Sequence, residues 1–276
     1  MASTTYYGLI DYKSKKTLYA VLFESETNNI SLSVYKGWDG TLELSQDNIN
    51  WTTVTESYTQ ANPFISTTGK IYARGLNNTT ICGDIGVSGG RWRFYNGTNI
   101  SISGNINCLL DWQKVKNKEN INMASAAFYN MFASDQKIKD ISNLILPATI
   151  LTDNCYRSMF NNCDNLINCP ALPATTLAYN CYRAMFDSCD NLETLPTLPA
   201  TNLIYGCYNS MFGANSKIKL SETQTGDYQT PYRIPTTGTG TTANSALNDM
   251  FRYTGGTFKG TPSINTTYYT SNEIVE

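Results

Sequence analysis

The stretch CYRSMFNNCDNLINCPALPATTLAYN, residues 155–180, is followed without a gap by CYRAMFDSCDNLETLPTLPATNLIYG, residues 181–206. The two stretches share one 26-residue frame. Its Met-Phe pair recurs along the chain and ends at Phe132, Phe160, Phe186, Phe212 and, in a degenerate copy, Phe251. A unit this short cannot bury its own apolar face, so neighbouring units stack into one continuous core. The frame therefore predicts a solenoid.

Within one unit, the residues expected to face the core are spaced as in a short helix. Cys155, Met159 and Cys163 lie four residues apart, which predicts about two helical turns over residues 154–163. An Asp-Asn pair then indicates a turn, and two prolines exclude a helix after it. One short helix and one short strand per unit is the pattern of a leucine-rich repeat.

The first and fourth copies differ from the two central ones. They carry Asp135 and Asn215 where the central copies carry Cys163 and Cys189. Polar residues in the outer copies predict the terminal caps that a solenoid requires. Residues 220–276 contain an inserted Thr/Gly-rich loop, the degenerate fifth copy and a turn-rich segment, which together we interpret as the C-terminal cap.

The chain before the repeats has a different pattern. Short alternating segments such as TLELS, WTTVT and RWRFY are bounded by Gly, Asn, Asp or Pro, at spacings typical of an antiparallel sandwich. We assign residues 1–26 to an N-terminal arm for attachment, 27–110 to an all-β sandwich-like module and 111–219 to the repeat solenoid. The expected fold class is β-rich, with a β-sandwich-like module, a short leucine-rich-repeat solenoid and a C-terminal cap.

The composition excludes several kinds of chemistry. The 276 residues include 20 Lys+Arg, 22 Asp+Glu and no histidine, so a Ser-His-Asp triad and a His-ligated metal are impossible. A net charge of −2 without a basic block offers no electrostatic footprint for nucleic acid. With 35 Thr, 30 Asn and 15% charged residues, the surface is polar mainly through hydroxyls and amides. We expect no catalytic residues, no cofactor, no metal and no nucleic-acid partner.

The eight cysteines leave three explanations open, which are buried packing, disulfides and a metal site. A metal site needs four ligands at paired short spacings, and the sequence has no such arrangement. A reducing compartment argues against disulfides. We therefore expect the cysteines to be small buried residues that stack from repeat to repeat.

The recurring apolar, cysteine and tyrosine positions form the predicted core of the repeats. They are Tyr129, Met131, Phe132, Cys155, Tyr156, Met159, Phe160, Cys163, Leu166, Cys181, Tyr182, Met185, Phe186, Cys189, Leu192, Cys207, Tyr208, Met211 and Phe212. The tyrosines among them could also form an exposed platform for sugar rings, but their position beside the core favours packing. Tyr179 and Tyr205 occupy loop-like positions two residues before a Cys-Tyr pair and are the candidate ligand-facing residues.

The string CYRSMFNNCDNLINCPALPATTLAYNCYRAMF resembles the BspA-type leucine-rich repeats of bacterial surface proteins and of structural proteins of gut Bacteroidales phages, crAss-like phages among them. LELSQDNINWTTV and GKIYARG resemble the β-module that often precedes such repeats, and YRIPTTGTGTT resembles their C-terminal end. The resemblance covers roughly residues 42–275. It implies a β-sandwich and leucine-rich-repeat adhesion module without enzymatic activity, and it supplies no catalytic residues.

Three functional hypotheses follow. The first is a head or tail fibre or decoration protein that contacts other virion proteins through its N-terminal region and binds a host-surface glycan or protein, or mucus. The second is a bacterial cell-surface adhesin. No signal peptide or span of 18 apolar residues is evident, so we expect no membrane insertion and favour a virion protein made in the host bacterial cytoplasm. The third is a polysaccharide depolymerase, which needs two carboxylates about 5–10 Å apart. Homo-oligomerisation stays open.

Overall fold

The first half of the chain is built from short strands. The computed structural model describes residues 9–11, 16–83, 91–234, 241–242 and 245–276. Its elements up to residue 117 are β1 (Leu9–Asp11), β2 (Lys16–Leu18), β3 (Val21–Glu24), β4 (Ile30–Val34), β5 (Thr41–Ser45), β6 (Thr52–Thr53), β7 (Phe64–Ser66), β8 (Lys70–Leu76), β9 (Trp92–Asn96), β10 (Ile100–Asn105) and α1 (Cys108–Asn117). In β8 buried residues alternate with half-buried ones, as expected for a strand with one face on a core.

The second half contains shorter strands separated by long runs of turns. The strands are β11 (Ile138–Asp140), β12 (Leu144–Ile145), β13 (Thr194–Pro196), β14 (Asn202–Leu203), β15 (Leu220–Ser221), β16 (Thr230–Ile234), β17 (Thr241–Thr242), β18 (Thr266–Thr270) and β19 (Glu273–Val275). The chain is therefore β-rich, as predicted, and α1 is the only helix among the residues that the structure describes.

Strands β3 to β10 of the N-terminal module lie in two sheets. The larger has seven strands in the order β11-β10-β3-β8-β5-β6, with β12 also paired to β10, and the smaller has the order β7-β4-β9. Phe23 on β3 packs against Trp92 and Phe94 on β9, with ring centroids 5.9 and 5.3 Å apart. The two sheets thus meet across aromatic side chains, an arrangement consistent with a sandwich.

The predicted arm over residues 1–26 is too long. Strand β3 lies inside the large sheet, where it pairs antiparallel with β8 on one side and β10 on the other. The apolar side chains of Val21 and Phe23 are fully buried there, which explains why this segment joins the sheet. Residues 21–24 therefore belong to the large sheet and not to an arm. Among the described residues, strands β1 and β2 pair with each other in a separate two-stranded sheet.

The predicted short helix in each repeat is wrong, because the structure has a run of tight turns in its place. In the second unit, the N–H groups of Tyr156, Ser158 and Phe160 donate to carbonyls of the next unit at 2.9 to 3.0 Å. The N–H groups of residues between them form hydrogen bonds within their own unit. Those of Arg157 and Asn161 donate to the carbonyls three residues earlier, at 3.1 and 3.2 Å. Alternate residues thus bind the neighbouring unit, as in a parallel ladder.

The backbone conformation explains why no helix forms. Asn154, Ser158 and Asn162 have φ angles of 56°, 54° and 57°, so every fourth residue is left-handed, whereas an α-helix requires φ near −63° throughout. Asn is among the residues that adopt this conformation most readily. A four-residue repeat and a 3.6-residue helical period place almost the same positions inward over two turns, so the spacing of the core residues does not separate them.

The N-terminal module covers the first turn run. The N–H groups of Ile81 and Cys82 donate to the carbonyl of Ala127, and that of Trp92 donates to the carbonyl of Met131 at 2.8 Å. Strand β10 also pairs in parallel with β11 and β12 of the first repeat unit. One hydrophobic core runs through module, repeats and C-terminal segment. The predicted boundary near residue 110 is therefore crossed by both hydrogen bonds and core packing.

The C-terminal segment closes the other end of the repeats. The degenerate fifth copy continues the ladder, since the N–H groups of Tyr208 and Phe212 donate to the carbonyls of Ala246 and Met250 at 2.9 Å. Strand β18 pairs with β15 and β16 in an antiparallel sheet, and β19 pairs in parallel with β13. The last residues of the described chain thereby return to the third repeat unit.

Candidate functional site: an exposed tyrosine pair on a stack of repeats

Two ladders of stacked rings run through the repeats and hold the units in register. One joins Phe132, Phe160, Phe186, Phe212 and Phe251, whose successive centroids lie 5.4 to 6.0 Å apart. The other joins Phe128, Tyr156, Tyr182 and Tyr208 at 5.6 to 6.0 Å. All the residues predicted as repeat core are buried, most of them completely.

Tyr129 does not stack with Tyr156, Tyr182 and Tyr208, the tyrosines with which the sequence grouped it. Counting back from the Met-Phe pairs, Phe128 is the residue equivalent to Tyr156, and its ring is the one that stacks there, with an interplanar angle of 5°. Tyr129 is equivalent to Arg157 and lies under the guanidinium of that residue, 5.5 Å from the ring centroid. The sequence grouped Tyr129 with Tyr156 because both are tyrosines, although Tyr129 lies one position later in the frame.

The cysteines are packed inside the protein, and two of them form hydrogen bonds between units. All eight are free and buried. The thiols of Cys163 and Cys189 donate to the carbonyls of Phe132 and Phe160 in the preceding unit, at 3.2 and 3.1 Å. Burial raises the pKa of Cys181 to about 12. A thiol with so high a pKa stays protonated at neutral pH and is a poor nucleophile. Among the residues that the structure describes, no His, Cys, Asp and Glu side chains cluster so as to hold a metal ion.

The polar replacements in the outer copies are buried, so they are not the solvent-facing caps that the sequence predicted. Asn215 is fully buried and its Nδ2 donates to the carbonyl of Phe186 at 2.9 Å, the bond that a cysteine thiol makes in the central units. Asp135 is 1% exposed and accepts the N–H of Phe94 at 2.7 Å through Oδ2. The first copy needs an acceptor at this position because the neighbouring element is strand β9 rather than another repeat.

Tyr179 and Tyr205 form an exposed stacked pair at one edge of the repeats. Their ring centroids are 5.2 Å apart, the planes differ by 5°, and the residues are 45% and 42% exposed. Neither ring hydroxyl has a hydrogen-bond partner among the described residues. Each ring covers one face of its neighbour, so the pair presents to solvent its outer faces, its edges and two free hydroxyl groups. These are the features that a polar, uncharged ligand such as a sugar can contact.

The main chain under this pair is fixed by the ladder. The N–H of Tyr179 donates to Oδ1 of Asp153 at 2.9 Å, and its carbonyl accepts the N–H of Asn154 at 2.8 Å. The carbonyl of Tyr205 accepts the N–H of Asn180 at 3.0 Å. These hydrogen bonds fix the main chain of both residues before any ligand arrives, which reduces the entropy lost on binding.

Two aliphatic residues of the repeats are also exposed. Ile150 is 69% exposed and pairs with Thr176 in an isolated parallel bridge, while Ile204, 39% exposed, immediately precedes Tyr205. We call the stacked pair of Tyr179 and Tyr205 the tyrosine edge.

The module carries an aromatic cluster that the sequence did not reveal. The guanidinium of Arg74 lies over the rings of both Trp51 and Trp112, 3.9 and 4.5 Å from their centroids, and its Nε binds Glu43 at 2.7 Å. These residues come from separate elements, and nothing in their spacing along the chain indicates the contact. The cation–π contact with Trp112 attaches α1 to the large sheet, and the ion pair with Glu43 joins β8 to β5 within that sheet.

Within the described part of the chain, no helix has the length and apolar character needed to span a membrane. Comparison with protein-family models, with curated proteins and with solved structures finds no match to this chain. The resemblance to BspA-type repeats therefore rests on the sequence motifs and stays a prediction.

Proposed function

We propose that this chain is a non-enzymatic adhesive protein of a virion appendage, a head or tail fibre or a decoration protein, whose repeats bind a host-surface or mucus ligand. The observation that carries the adhesive part is the tyrosine edge, because it combines exposed, stacked rings with a main chain fixed by hydrogen bonds. The virion part is supported by the sequence resemblance alone.

We further propose that the repeats are a leucine-rich-repeat-type solenoid in which a run of turns replaces the usual helix. Stacked rings, inter-unit hydrogen bonds and a 26-residue frame support this proposal. A solenoid of this kind places equivalent residues of successive units side by side, so one favourable position becomes a row. Tyr179 and Tyr205 are such equivalents in adjacent units.

The proposed mode of binding is weak at a single site and strong in multiple copies. Hydroxyls and ring faces of the tyrosine edge would contact sugar or peptide groups with modest energy per contact. A virion that carries many copies would convert this into tight attachment through avidity. The β1–β2 pair, which forms a two-stranded sheet of its own among the described residues, is the segment that we propose contacts other virion proteins.

Binding to immobilised intestinal mucin and to intact host bacteria tests the adhesive role. We expect Tyr179→Ala combined with Tyr205→Ala to reduce binding at least severalfold while the protein stays folded by circular dichroism. Tyr35→Ala is the matched control, because Tyr35 lies in the module and is 41% exposed. Equal binding by the double variant and the control would overturn the proposal.

The location of the chain tests its proposed role as a virion protein. Mass spectrometry of purified particles should detect the chain in stoichiometric amounts. Its absence from particles, together with antibody labelling of bacterial surfaces, would favour the alternative of a cell-surface adhesin. Release of oligosaccharides from capsule by the purified protein would instead favour the depolymerase hypothesis and refute the non-enzymatic role.

A further inference from the structure

A polar groove lies where the C-terminal segment meets the third and fourth repeat units. Its volume is about 370 Å³, within the range of small-molecule sites. Four charged side chains line it, contributed by Glu193, Lys217, Lys219 and Glu273. They come from three separate segments of the chain, and the described structure brings them together.

The side-chain amide of Asn272 joins these segments by hydrogen bonds. The Nδ2 of Asn272 donates to the carbonyls of Glu193 and Lys217, at 2.8 and 3.0 Å, and its Oδ1 accepts the N–H of Lys219 at 2.8 Å. Glu273 is the next residue and lies opposite Thr194 in the β13–β19 ladder. The main chain around the groove is thus fixed by bonds to one side chain and by a strand pairing, so the charges project from a rigid frame.

The four charges are not equally satisfied. Lys217 and Glu193 form an ion pair with Nζ and Oε1 2.7 Å apart. The ammonium of Lys219 and the carboxylate of Glu273 are exposed and have no ion-pair or hydrogen-bond partner among the described residues. The groove is therefore neutral overall, with one unpaired charge of each sign at its lining.

Because the proposed function is binding of a host-surface or mucus glycan, we propose that this groove binds a zwitterionic saccharide unit, with a carboxylate at Lys219 and an ammonium at Glu273. A ligand with only negative charge would pair with Lys219 but face the carboxylates of Glu193 and Glu273. A ligand with only positive charge would pair with Glu273 but face the ammonium groups of Lys217 and Lys219. Only a ligand that carries both signs satisfies the two unpaired groups without repulsion. The site is separate from the tyrosine edge, and the inference does not require that edge to bind anything.

Three related oligosaccharides test the proposal on the full chain by calorimetry or NMR titration. De-N-acetylated hyaluronan tetrasaccharide carries alternating ammonium and carboxylate groups, hyaluronan tetrasaccharide carries carboxylates only, and chitosan tetrasaccharide carries ammonium groups only. We expect the zwitterionic probe to bind at least severalfold more tightly than the other two. Its affinity should fall as salt rises from about 0.01 to 0.15 M, because the Debye length shortens from about 30 to 8 Å.

Variants locate the binding. Lys219→Gln and Glu273→Gln should each weaken binding of the zwitterionic probe, by up to about fivefold as expected for one exposed ion pair. Lys259→Gln and Glu222→Gln are the matched controls, because both residues are exposed and lie outside the groove. Equal affinity for the three probes, no binding at millimolar concentration, or equal loss in the controls would each overturn the proposal, whatever the result at the tyrosine edge.

Discussion

The ring of Tyr182 stacks on that of Tyr156, with centroids 5.8 Å apart and planes 12° apart, and the hydroxyl groups of both are buried. Neither hydroxyl has a hydrogen-bond partner among the described residues. A buried polar group without a partner costs about 1 to 3 kcal/mol. The ladder thus keeps its ring stacking at the expense of two unsatisfied hydroxyls.

Removing such a hydroxyl should not destabilise the protein. We predict that Tyr182→Phe leaves the free energy of unfolding unchanged or raises it by about 1 kcal/mol in urea titrations, because the stacked ring stays and the desolvated hydroxyl is lost. Tyr232→Phe is the control. The hydroxyl of Tyr232 donates to the carbonyl of Pro196 at 3.0 Å, so its removal should cost about 1 kcal/mol. Similar losses in both variants would mean that Tyr182 has a hydrogen-bond partner, such as a buried water.

Substitutions at Ser158 distinguish a run of turns from a helix. Ser158 has a φ of 54°, its side chain makes no hydrogen bond in the described structure, and Gly adopts this conformation without strain. We predict that Ser158→Gly is more stable than Ser158→Ala by about 1 kcal/mol in thermal or urea unfolding. In a helix the order is reversed, since Gly is about 1 kcal/mol less favourable than Ala. A more stable Ala variant would contradict the turn geometry.

Asp135 gives the junction between module and repeats a dependence on pH. Burial raises the pKa of this carboxyl above its usual 3.8, against the opposing effects of the N–H groups of Phe94 and Lys137 and the charges of Arg93 and Lys137. A raised pKa in the folded state means that folding favours the protonated form. The contribution to stability is complete below pH 3.8 and is lost as the pH rises through the folded-state value.

Comparison with Asp135→Asn isolates this effect. The stability of the wild type relative to the variant should fall as the pH is raised from about 4 to 7, as measured by urea unfolding at each pH. Asp187, whose pKa burial also raises, is present in both proteins and cancels in the difference. A relative stability that grows with pH would show that the two N–H donors outweigh burial and that the carboxylate form is favoured.

The cysteines should be inert in the folded protein. Burial raises the pKa of Cys169 and Cys181 to about 12, and all eight thiols are free and buried. We predict no alkylation by iodoacetamide at pH 8 over a time that fully modifies the protein in urea, with mass spectrometry as the readout. Rapid modification of any cysteine in the folded state would identify a reactive thiol and would conflict with a purely structural role.

The 26-residue frame was predictable because stacking repeats its core residues at a constant spacing. Phe160 and Phe186 are recognisable as equivalents without any structure, and so are Tyr179 and Tyr205. The turn run was not predictable, since a period of four resembles a helical period over only two turns. The burial of Asp135 was not predictable either, because whether a polar residue is exposed depends on what packs against it.

The groove around Asn272 had no signal in the sequence for a different reason. Its charges lie on strands and turns that are brought together by the return of the C-terminal segment to the third unit. Such contacts depend on the path of the chain rather than on local pattern. The contact of Arg74 with Trp51 and Trp112 was hidden in the same way.

The central claim, that the tyrosine edge contacts a ligand, is tested most directly by NMR. The ring resonances of Tyr179 and Tyr205, assigned from the single Phe variants, would be followed while O-glycans released from intestinal mucin are added. We predict saturable shifts of both resonances and no shift for Tyr35. Binding that shifts other resonances while those of Tyr179 and Tyr205 stay fixed would contradict the account.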